Sequence, residues 1–375
     1  METGSEMRPT CAEIDISAIV YNLKQIKKRV SPARVMAVVK ADGYGHGVIP
    51  VARAAISAGV DCLGVALVEE ATELRAAGID HPVLVFGGAF ENQLELFVDY
   101  DLELTVYTES IAQTCSRIAQ SRNRILDVHV KVDTGMGRVG VPFEAAPSFV
   151  EWLSQLKNIR LKGIYTHFAT SDEKDKKYAS LQLNRFNKVL ASVRLKGIEI
   201  PIKHAANSGA ILDLPQAYLD MVRPGVMMYG YYPSPETSQS IAIKPAMTFK
   251  SKVCFIKNVA QNTSISYGRK YITPSSTRIA TIPVGYADGY NRLLTNQGIV
   301  TIRGKKFPIV GRVCMDLIMA DLGDDQTIEI NDEVILFGPQ SRNAFTVEEI
   351  CQKIGTIPYE VTCWISKRVP RVYKY

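Results

Sequence analysis

Short apolar runs alternate with amphipathic stretches along the chain from about Ala12 to about Gly230. The apolar runs are rich in Val, Ile and Leu, which is typical of strands buried on both faces. They predict the strands VMAVVK, DCLGVAL, PVLVFG, LELTVY, LDVHVKVD, LKGIYTHF, IPIKHAAN and DMVRPGVMMYG. The stretches between them, such as VEEATELRAAG and SLQLNRFNKVLASVRLKG, predict helices that end at a glycine.

Strands separated by helices in this way predict an α/β fold, a closed (β/α)8 barrel of the TIM type. A doubly wound open sheet is the alternative. Beyond about Lys244 the pattern is β-rich and broken by Gly, Pro and Asp, with one predicted helix, TVEEICQKIG, capped by Thr346. We therefore expect a barrel domain over residues 12–240 and a mainly β C-terminal domain over residues 241–375, with residues 1–11 packing on the second domain.

Composition narrows the class of protein. The net charge is +6 in 375 residues and the basic residues are scattered, so no nucleic-acid partner is expected. No segment is long and apolar enough to predict a membrane span or a signal peptide. The seven cysteines form no CxxC pair and several lie in apolar runs, which indicates reduced thiols in a cytoplasmic protein. No metal site is predicted.

Polar side chains follow five of the predicted strands at their carboxyl ends: Lys40, Arg138, His167, Asn207 and Arg223. Taken singly, each is an ordinary surface or core residue, and His167 alone is typical of a satisfied core histidine. In a parallel barrel these strand ends converge on one mouth, where active sites are built. The shared position therefore predicts a single site.

Lys40 is the most informative of these residues, because it ends the run VMAVVK and is followed by ADGYGHG. A buried ammonium group is costly, so this lysine is predicted to be ion-paired, to extend toward solvent or to carry a covalent Schiff base. The three glycines after it permit unusual backbone dihedral angles and close approach of the backbone to a ligand.

A set of motifs occurs in order along the chain: AVVKADGYGHG, KVDTGMGRVG, YTHFATSDE, HAANSGA, RPGVMMYG, SYGRKY, GYADGY, GRVCMD and PYEV. Together they resemble the alanine racemases, from about Arg8 to Val372. The resemblance implies a barrel with a β-domain and pyridoxal 5′-phosphate (PLP) as cofactor. It also implies an isomerase that interconverts L-alanine and D-alanine by two-base proton transfer on a PLP aldimine, with Lys40 and Tyr267 as the catalytic bases.

The resemblance assigns supporting roles by position. A tyrosine has an ordinary pKa of about 10, so His167 and Arg223 are expected to favour the phenolate of Tyr267. Asp316 is the third supporting residue. The implied cofactor-binding residues are Lys40, Tyr44, Arg138, His167, Asn207, Ser208, Arg223, Gly225, Val226 and Tyr359, and the implied substrate-binding residues are Arg138, Met315 and Tyr286.

Lys131, and two of the positions assigned above, have a further interpretation. Lys131 matches a position that is often carbamylated in the family, where the resulting anion holds Arg138. Ser208 is alternatively a helix N-cap before GAILDLPQA, and both roles are compatible. Tyr267, considered without the family, is typical of an aromatic residue on an edge strand.

Tyr267, Tyr286, Met315 and Asp316 match residues that enter the family's active site from the other subunit, so a homodimer with shared active sites is implied. D-alanine feeds peptidoglycan synthesis, so we expect a bacterial cytoplasmic enzyme. The alternatives are a racemase for serine or for several amino acids, a PLP decarboxylase on a similar two-domain fold, and a PLP-carrying binding protein without turnover. The complete SYGRKY and GRVCMD motifs disfavour the decarboxylase, and the β-domain disfavours the carrier.

Overall fold

The computed structural model of the protein describes residues 8–339 and 343–375. Its strands, in chain order, are β1 (Cys11–Asp15), β2 (Arg34–Val38), β3 (Cys62–Val65), β4 (Val83–Val85), β5 (Glu103–Val106), β6 (Leu126–Asp133), β7 (Val141–Pro142), β8 (Ile159–Tyr165), β9 (Ile202–His204), β10 (Met221–Val222), β11 (Met247–Lys252), β12 (Phe255–Val259), β13 (Ser264–Ile265), β14 (Tyr271–Ile272), β15 (Thr277–Ile282), β16 (Ile299–Ile302), β17 (Lys305–Pro308), β18 (Ile318–Gly323), β19 (Glu333–Phe337) and β20 (Arg371–Lys374). Its α-helices span Ile16–Val30, Val48–Ser57, Val68–Ala76, Leu94–Asp99, Glu109–Ser121, Ala146–Leu153, Lys177–Leu195, Ser208–Asp213, Val347–Ile354 and Pro358–Cys363. Short 3-10 turns span Glu91–Gln93, Pro215–Ala217, Val226–Tyr229, Tyr267–Arg269, Tyr286–Asp288 and Arg292–Leu294.

One compact unit, residues 19–43 and 48–244, contains the barrel. Its parallel strands are neighbours in the order β5-β4-β3-β2-β10-β9-β8-β6, and β5 also pairs with β6, so the sheet closes on itself. Each predicted strand lies in this ring, and the predicted barrel is confirmed. The closing pair excludes the open sheet, because an open sheet keeps two unpaired edges.

The second unit consists of residues up to Ala18, residues 44–47 and residues 245–375. Its largest sheet has the order β17-β16-β19-β11-β1-β20, and a smaller sheet has the order β12-β15-β18. Strand β1 pairs antiparallel with β11 and parallel with β20. A mainly β C-terminal region is thereby confirmed, while the exact boundary between residues 240 and 241 stays a prediction.

The helices of the β-rich unit were predicted incompletely. The helix Val347–Ile354 has Thr346 as its N-cap, whose side chain accepts the N–H of Glu349, as predicted. A second helix, Pro358–Cys363, was not predicted, and the expectation of a single helix is wrong. Six residues are too few to show a helical period, so tertiary packing selects this helix.

Polar side chains line part of the barrel interior. Glu103, His129, Lys131 and His204 are 5%, 1%, 3% and 0% exposed, respectively. They occupy alternate positions of their strands, which place successive side chains on opposite faces. All seven cysteines are free thiols, and none of the described helices has the length and apolar character that a membrane crossing requires.

Candidate active site

Lys40 lies two residues beyond β2, at the start of a left-handed turn over Lys40–Tyr44. Ala41 and Asp42 have φ angles of 54° and 53°, a conformation that costs a residue with a Cβ about 1–2 kcal/mol. The turn is held from outside, because Glu70 Oε1 accepts the N–H of Ala41 at 2.6 Å. Lys40 itself is half-buried at the barrel mouth. It lies beyond the end of the strand that its apolar run predicts.

Glu70 connects this turn to the next helix. Its Oε2 accepts the N–H groups of Ala66 at 2.7 Å and Leu67 at 3.1 Å, at the start of the helix Val68–Ala76. One carboxylate thus accepts the free N–H groups at the start of this helix and also orders the backbone beside Lys40. Sequence reasoning missed this residue, although a glutamate at the third helical position is the usual partner of free N–H groups.

Arg223 follows β10 directly and is 4% exposed. Its Nη2 donates to the carbonyl oxygens of Thr166 at 2.8 Å and Ala205 at 3.0 Å, and lies 3.4 Å from Nδ1 of His167. Its Nη1 lies 3.1 Å from Nδ1 of His204. Burial lowers the pKa of Arg223 from 12.5 to about 10, so the guanidinium group stays charged at neutral pH.

His167 lies beside this guanidinium group. Burial and the positive charges of Arg223, Lys131 and Arg138 lower the pKa of His167 well below its ordinary value of 6.5, so the ring is neutral at pH 7. The two hydrogens of Nη2 point to the carbonyl oxygens of Thr166 and Ala205, so its approach to His167 is an electrostatic contact. Because a guanidinium group presents only N–H groups, Nδ1 of His167 faces it with a lone pair and Nε2 carries the proton. The charge of Lys40 also lowers this pKa, which places the lysine close to the same pair.

Lys131 is buried deeper in the barrel. Its Nζ donates to the carbonyl oxygen of Val132 at 3.3 Å and lies 5.3 Å from the ring centroid of Tyr165. Burial, and then the charge of Arg223, lower the pKa of Lys131 from 10.5 to about 7. A substantial fraction of this amine is consequently uncharged at neutral pH.

Arg138 lies in the exposed loop after β6. Asp133 shapes that loop, because its Oδ1 accepts the N–H groups of Gly135 and Met136 at 2.9 Å each. This is the geometry of a short side chain that replaces backbone partners in a turn. The charge of Arg138 lowers the pKa of Lys131, so both lie in the same electrostatic environment.

Asn207 and Ser208 begin the helix Ser208–Asp213. Oδ1 of Asn207 accepts the N–H of Ala210 at 3.1 Å, so Asn207 is the N-cap and the alternative that assigned this cap to Ser208 is wrong. Oγ of Ser208 accepts the N–H of Gly225 at 3.0 Å, which leaves the Ser208 O–H as a donor. Val226, the next residue, starts a 3-10 turn, and the first N–H groups of such a turn have no partner within it.

Tyr44 and Tyr359 lie together in the β-rich unit. Their ring centroids are 6.0 Å apart at an interplanar angle of 46°. Tyr44 is buried, and Tyr359 belongs to the helix Pro358–Cys363. The backbone after Tyr44 is anchored in the same unit, because Nε of Arg371 donates to the carbonyl oxygen of Gly45 at 3.1 Å.

Three predicted residues of the β-rich unit lie on segments that are connected to one another. Tyr267, Tyr286 and Met315 are 71%, 43% and 51% exposed. Oγ of Ser266 lies 3.4 Å from Sγ of Cys314, and the N–H of Tyr286 donates to the carbonyl oxygen of Cys314 at 3.0 Å. The segments that carry the three side chains are therefore tied to one another at Cys314.

Asp316 is held by a chain of ion pairs. Nη2 of Arg368 lies 2.7 Å from Oδ1 of Asp316, and Nε of Arg368 lies 3.0 Å from Oδ1 of the fully buried Asp288. Oδ2 of Asp288 accepts the N–H of Gly285 at 2.9 Å. The same network thus supports Asp316 and the turn that carries Tyr286.

The donors on the barrel unit fit PLP chemically. Lys40 supplies a primary amine for the aldehyde, and Ser208 supplies an O–H for the phosphate. In the part of the chain that the structure describes, the hydrogen bonds of Arg223 run from Nη1 and Nη2, so its Nε–H remains for the ring nitrogen, an acceptor. Within the same residues, no cluster of three or more His, Cys, Asp or Glu side chains is arranged to hold a metal ion.

The barrel interior contains polar residues that sequence reasoning did not select. Glu103, His129, Tyr165 and His204 lie behind Arg223 and Lys131. Their signal in the sequence is a polar letter at an inward position of an otherwise apolar strand, as in LELTVY and LDVHVKVD. That signal does not distinguish a functional group from a satisfied core residue.

Comparison with known proteins identifies the family. Two family models, "Alanine racemase, N-terminal domain" and "Alanine racemase, C-terminal domain", match residues 14–233 and 246–373. The alanine racemase 2 of Caldanaerobacter subterraneus subsp. tengcongensis is 49% identical over 372 residues, 99% of this chain and 96% of that protein. The solved alanine racemase of Clostridium difficile 630 has a TM-score of 0.94 and 41% identity, covering 99% of this chain and 97% of its own. The chain belongs to the alanine racemase family.

Proposed function

We propose that this chain is a PLP-dependent alanine racemase that interconverts L-alanine and D-alanine and supplies D-alanine for peptidoglycan in the cytoplasm of a bacterium. The observation that supports this most directly is the group formed by Lys40, His167 and Arg223 at one barrel mouth, in a chain that matches alanine racemases over its whole length. Racemisation requires removal of the α-proton and its return on the opposite face.

Bound PLP supplies an electron sink that stabilises the negative charge left on the α-carbon. Lys40 holds the cofactor through its amine and, once released, moves a proton on one face. On the barrel unit, Arg138, His167, Asn207, Ser208, Gly225 and Val226 are the proposed cofactor partners beside Lys40 and Arg223. On the β-rich unit, Tyr44 and Tyr359 are proposed to bind the phosphate.

Arg223 limits how strongly the cofactor withdraws electrons. Its guanidinium group stays protonated, so with the cofactor bound it would donate a hydrogen bond to the ring nitrogen and would not transfer a proton. A ring nitrogen left uncharged in this way would make the cofactor a weaker electron sink, which would disfavour side reactions. His167, neutral with its proton on Nε2, is a donor for a phenolate.

Tyr267 is proposed as the base on the other face, supplied by a second copy of the chain. In the single chain its side chain is 71% exposed, beside the exposed Tyr286 and Met315. A cluster of exposed large apolar side chains is typical of a protein interface. Tyr286, Met315 and Asp316 are proposed to enter the same shared site, where the Met315 N–H and Arg138 bind the substrate carboxylate.

Lys131 is proposed to be carbamylated. Carbamylation joins an uncharged amine to carbon dioxide and releases one proton, and the lowered pKa of about 7 keeps much of this amine uncharged at neutral pH. The product carries a negative charge toward Arg138. The intact mass of the protein with and without bicarbonate tests this proposal.

Hydrogen exchange at the α-carbon tests the main assignment. In deuterated water, the parent should exchange the α-proton of L-alanine and D-alanine, whereas Lys40→Ala and Tyr267→Phe should each lose abstraction from one enantiomer. Faster exchange of serine than of alanine would reassign the substrate. Release of carbon dioxide would indicate a decarboxylase, and bound cofactor without exchange would indicate a carrier.

Mixing the two inactive variants tests the shared site. A heterodimer of Lys40→Ala and Tyr267→Phe chains contains one site with both bases, so unfolding and refolding the mixture should restore about a quarter of the parent activity, the statistical value for a symmetric dimer. No recovery, with heterodimers shown by mass spectrometry, would contradict the homodimer proposal.

A further inference from the structure

Four buried polar side chains form a continuous row across the barrel interior. Nη1 of Arg223 lies 3.1 Å from Nδ1 of His204, and Nε2 of His204 lies 2.9 Å from Nδ1 of His129. Nε2 of His129 lies 3.0 Å from Oε2 of Glu103, a close electrostatic contact that is not aligned as a hydrogen bond. Oε1 of the same carboxylate lies 2.5 Å from Nζ of Lys162. The row thus connects the residue at the mouth to a carboxylate on β5.

The two ends of the row determine where each imidazole proton lies. A guanidinium group only donates, so Nδ1 of His204 must accept and its proton lies on Nε2. That N–H requires an acceptor, which makes Nδ1 of His129 unprotonated and places the second proton on Nε2, toward Glu103. Burial and the charge of Arg223 lower the pKa of His204 well below 6.5, which agrees with a neutral ring.

The surrounding residues leave room for this row. A Cβ on Gly163 would lie 2.2 Å from Nδ1 of His129, so only glycine permits the ring in this position. Tyr165 stacks on His204 at 4.7 Å between centroids and an angle of 15°. The centroid of the Tyr165 ring also lies 5.3 Å from the guanidinium carbon of Arg223. Both rings of the row are therefore fixed by their packing.

Glu103 remains ionised in this environment. Burial acts to raise its pKa, but His129 and Lys162 outweigh that effect and lower the pKa below its ordinary value. Among the described residues, no carboxylate forms a salt bridge with Arg223. The two imidazoles of His204 and His129 therefore connect the positive charge of Arg223 to the negative charge of Glu103. The carboxylate charge polarises the His129 ring, and the hydrogen bonds from His129 to His204 and from His204 to Arg223 polarise one another.

We propose that Glu103, His129 and His204 form a positioning relay that locks the tautomer facing Arg223 and thereby holds the guanidinium group in place at the barrel mouth. The relay gives the buried histidines a role beyond filling the core. The inference rests on the proposed function only in its consequence for catalysis, because the locked tautomers are a property of the protein without cofactor.

Glu103→Gln tests the relay with almost no change in shape. Lys162 only donates, so the amide oxygen must face Lys162 and the amide NH2 must face His129. Nε2 of His129 then has to accept, which inverts the tautomers of His129 and His204 and sets an N–H of His204 against an N–H of Arg223. A conservative substitution two residues away in the row is thus expected to change the tautomer of His204.

The measurement is ¹⁵N NMR of the full chain, free of cofactor and labelled at its five histidines. The parent should show His129 and His204 neutral with the proton on Nε2, and Glu103→Gln should move both protons to Nδ1. The double variant Glu103→Gln/Lys162→Met should restore the parent tautomers, because its amide can rotate. Asp127→Asn is the control, since Asp127 contacts Lys162 at 3.1 Å and is not part of the row.

The cofactor-loaded enzyme gives a second readout. We expect kcat to fall about tenfold in Glu103→Gln, the lower end of the cost of losing a partner that orients a ligand at metal centres, and to recover in the double variant. A parent spectrum with His204 charged or protonated at Nδ1 would overturn the relay, as would unchanged tautomers in Glu103→Gln. Locked tautomers in a parent that does not racemise alanine would leave the relay standing and refute the proposed function.

Discussion

Replacing Lys131 by methionine should raise the free energy of unfolding at neutral pH. The side chain is 3% exposed, and its pKa changes from 10.5 in the unfolded chain to about 7 in the folded protein. The difference of about 3.5 units corresponds to about 5 kcal/mol, at 1.36 kcal/mol per unit. Methionine has similar length and no charge, so it avoids the cost of burying an ammonium group.

The sign of the pH dependence follows from proton binding. Between pH 7 and pH 10.5 the unfolded lysine binds a proton that the folded lysine has released, so the stability of the parent rises with pH in this window. The expected slope is about 1.4 kcal/mol per pH unit. Lys131→Met lacks this contribution, so its advantage over the parent is largest at and below pH 7 and decreases toward pH 10.5.

Urea unfolding of the cofactor-free protein, in buffers free of carbon dioxide, measures this difference. Carbon dioxide must be absent because carbamylation would remove the charge. Lys203→Met is the control, because Lys203 is on strand β9 of the same barrel and its ammonium group is half-exposed and pairs with Asp220 at 2.8 Å. Parallel stability curves for the parent and Lys131→Met across this pH window would refute the reasoning.

Two further predictions concern the supports of the site. Glu70→Gln leaves one acceptor oxygen where the carboxylate has two, so either the N–H of Ala41 or those of Ala66 and Leu67 lose their acceptor. We expect slower covalent attachment of the cofactor at Lys40, measured by borohydride trapping, and a loss of about 0.5–1.5 kcal/mol in stability; an unchanged rate of cofactor attachment would contradict this. Gly285→Ala places a Cβ 2.2 Å from the carbonyl oxygen of Met315. The overpacked turn should lower the free energy of unfolding by about 1–3 kcal/mol and raise the KM for alanine. An unchanged KM would show that the turn does not affect substrate binding.

Much of the fold follows from local sequence patterns. The eight apolar runs correspond to the barrel strands because parallel strands covered by helices are buried on both faces and need no polar alternation. Thr346 marks its helix because a hydroxyl followed by glutamate at the third helical position satisfies free N–H groups. The helix Pro358–Cys363 escapes this logic, since its six residues become helical through packing.

For the site, the sequence alone determined which residues end strands and which motifs resemble a PLP enzyme, because strand length and residue type are local properties. Only the tertiary structure decided that Lys40 lies in a left-handed turn held by Glu70, that Asn207 caps the helix after β9, and that His204 stands behind Arg223. These facts depend on hydrogen bonds and burial between segments far apart in the chain, and no local pattern specifies which distant group satisfies a buried donor.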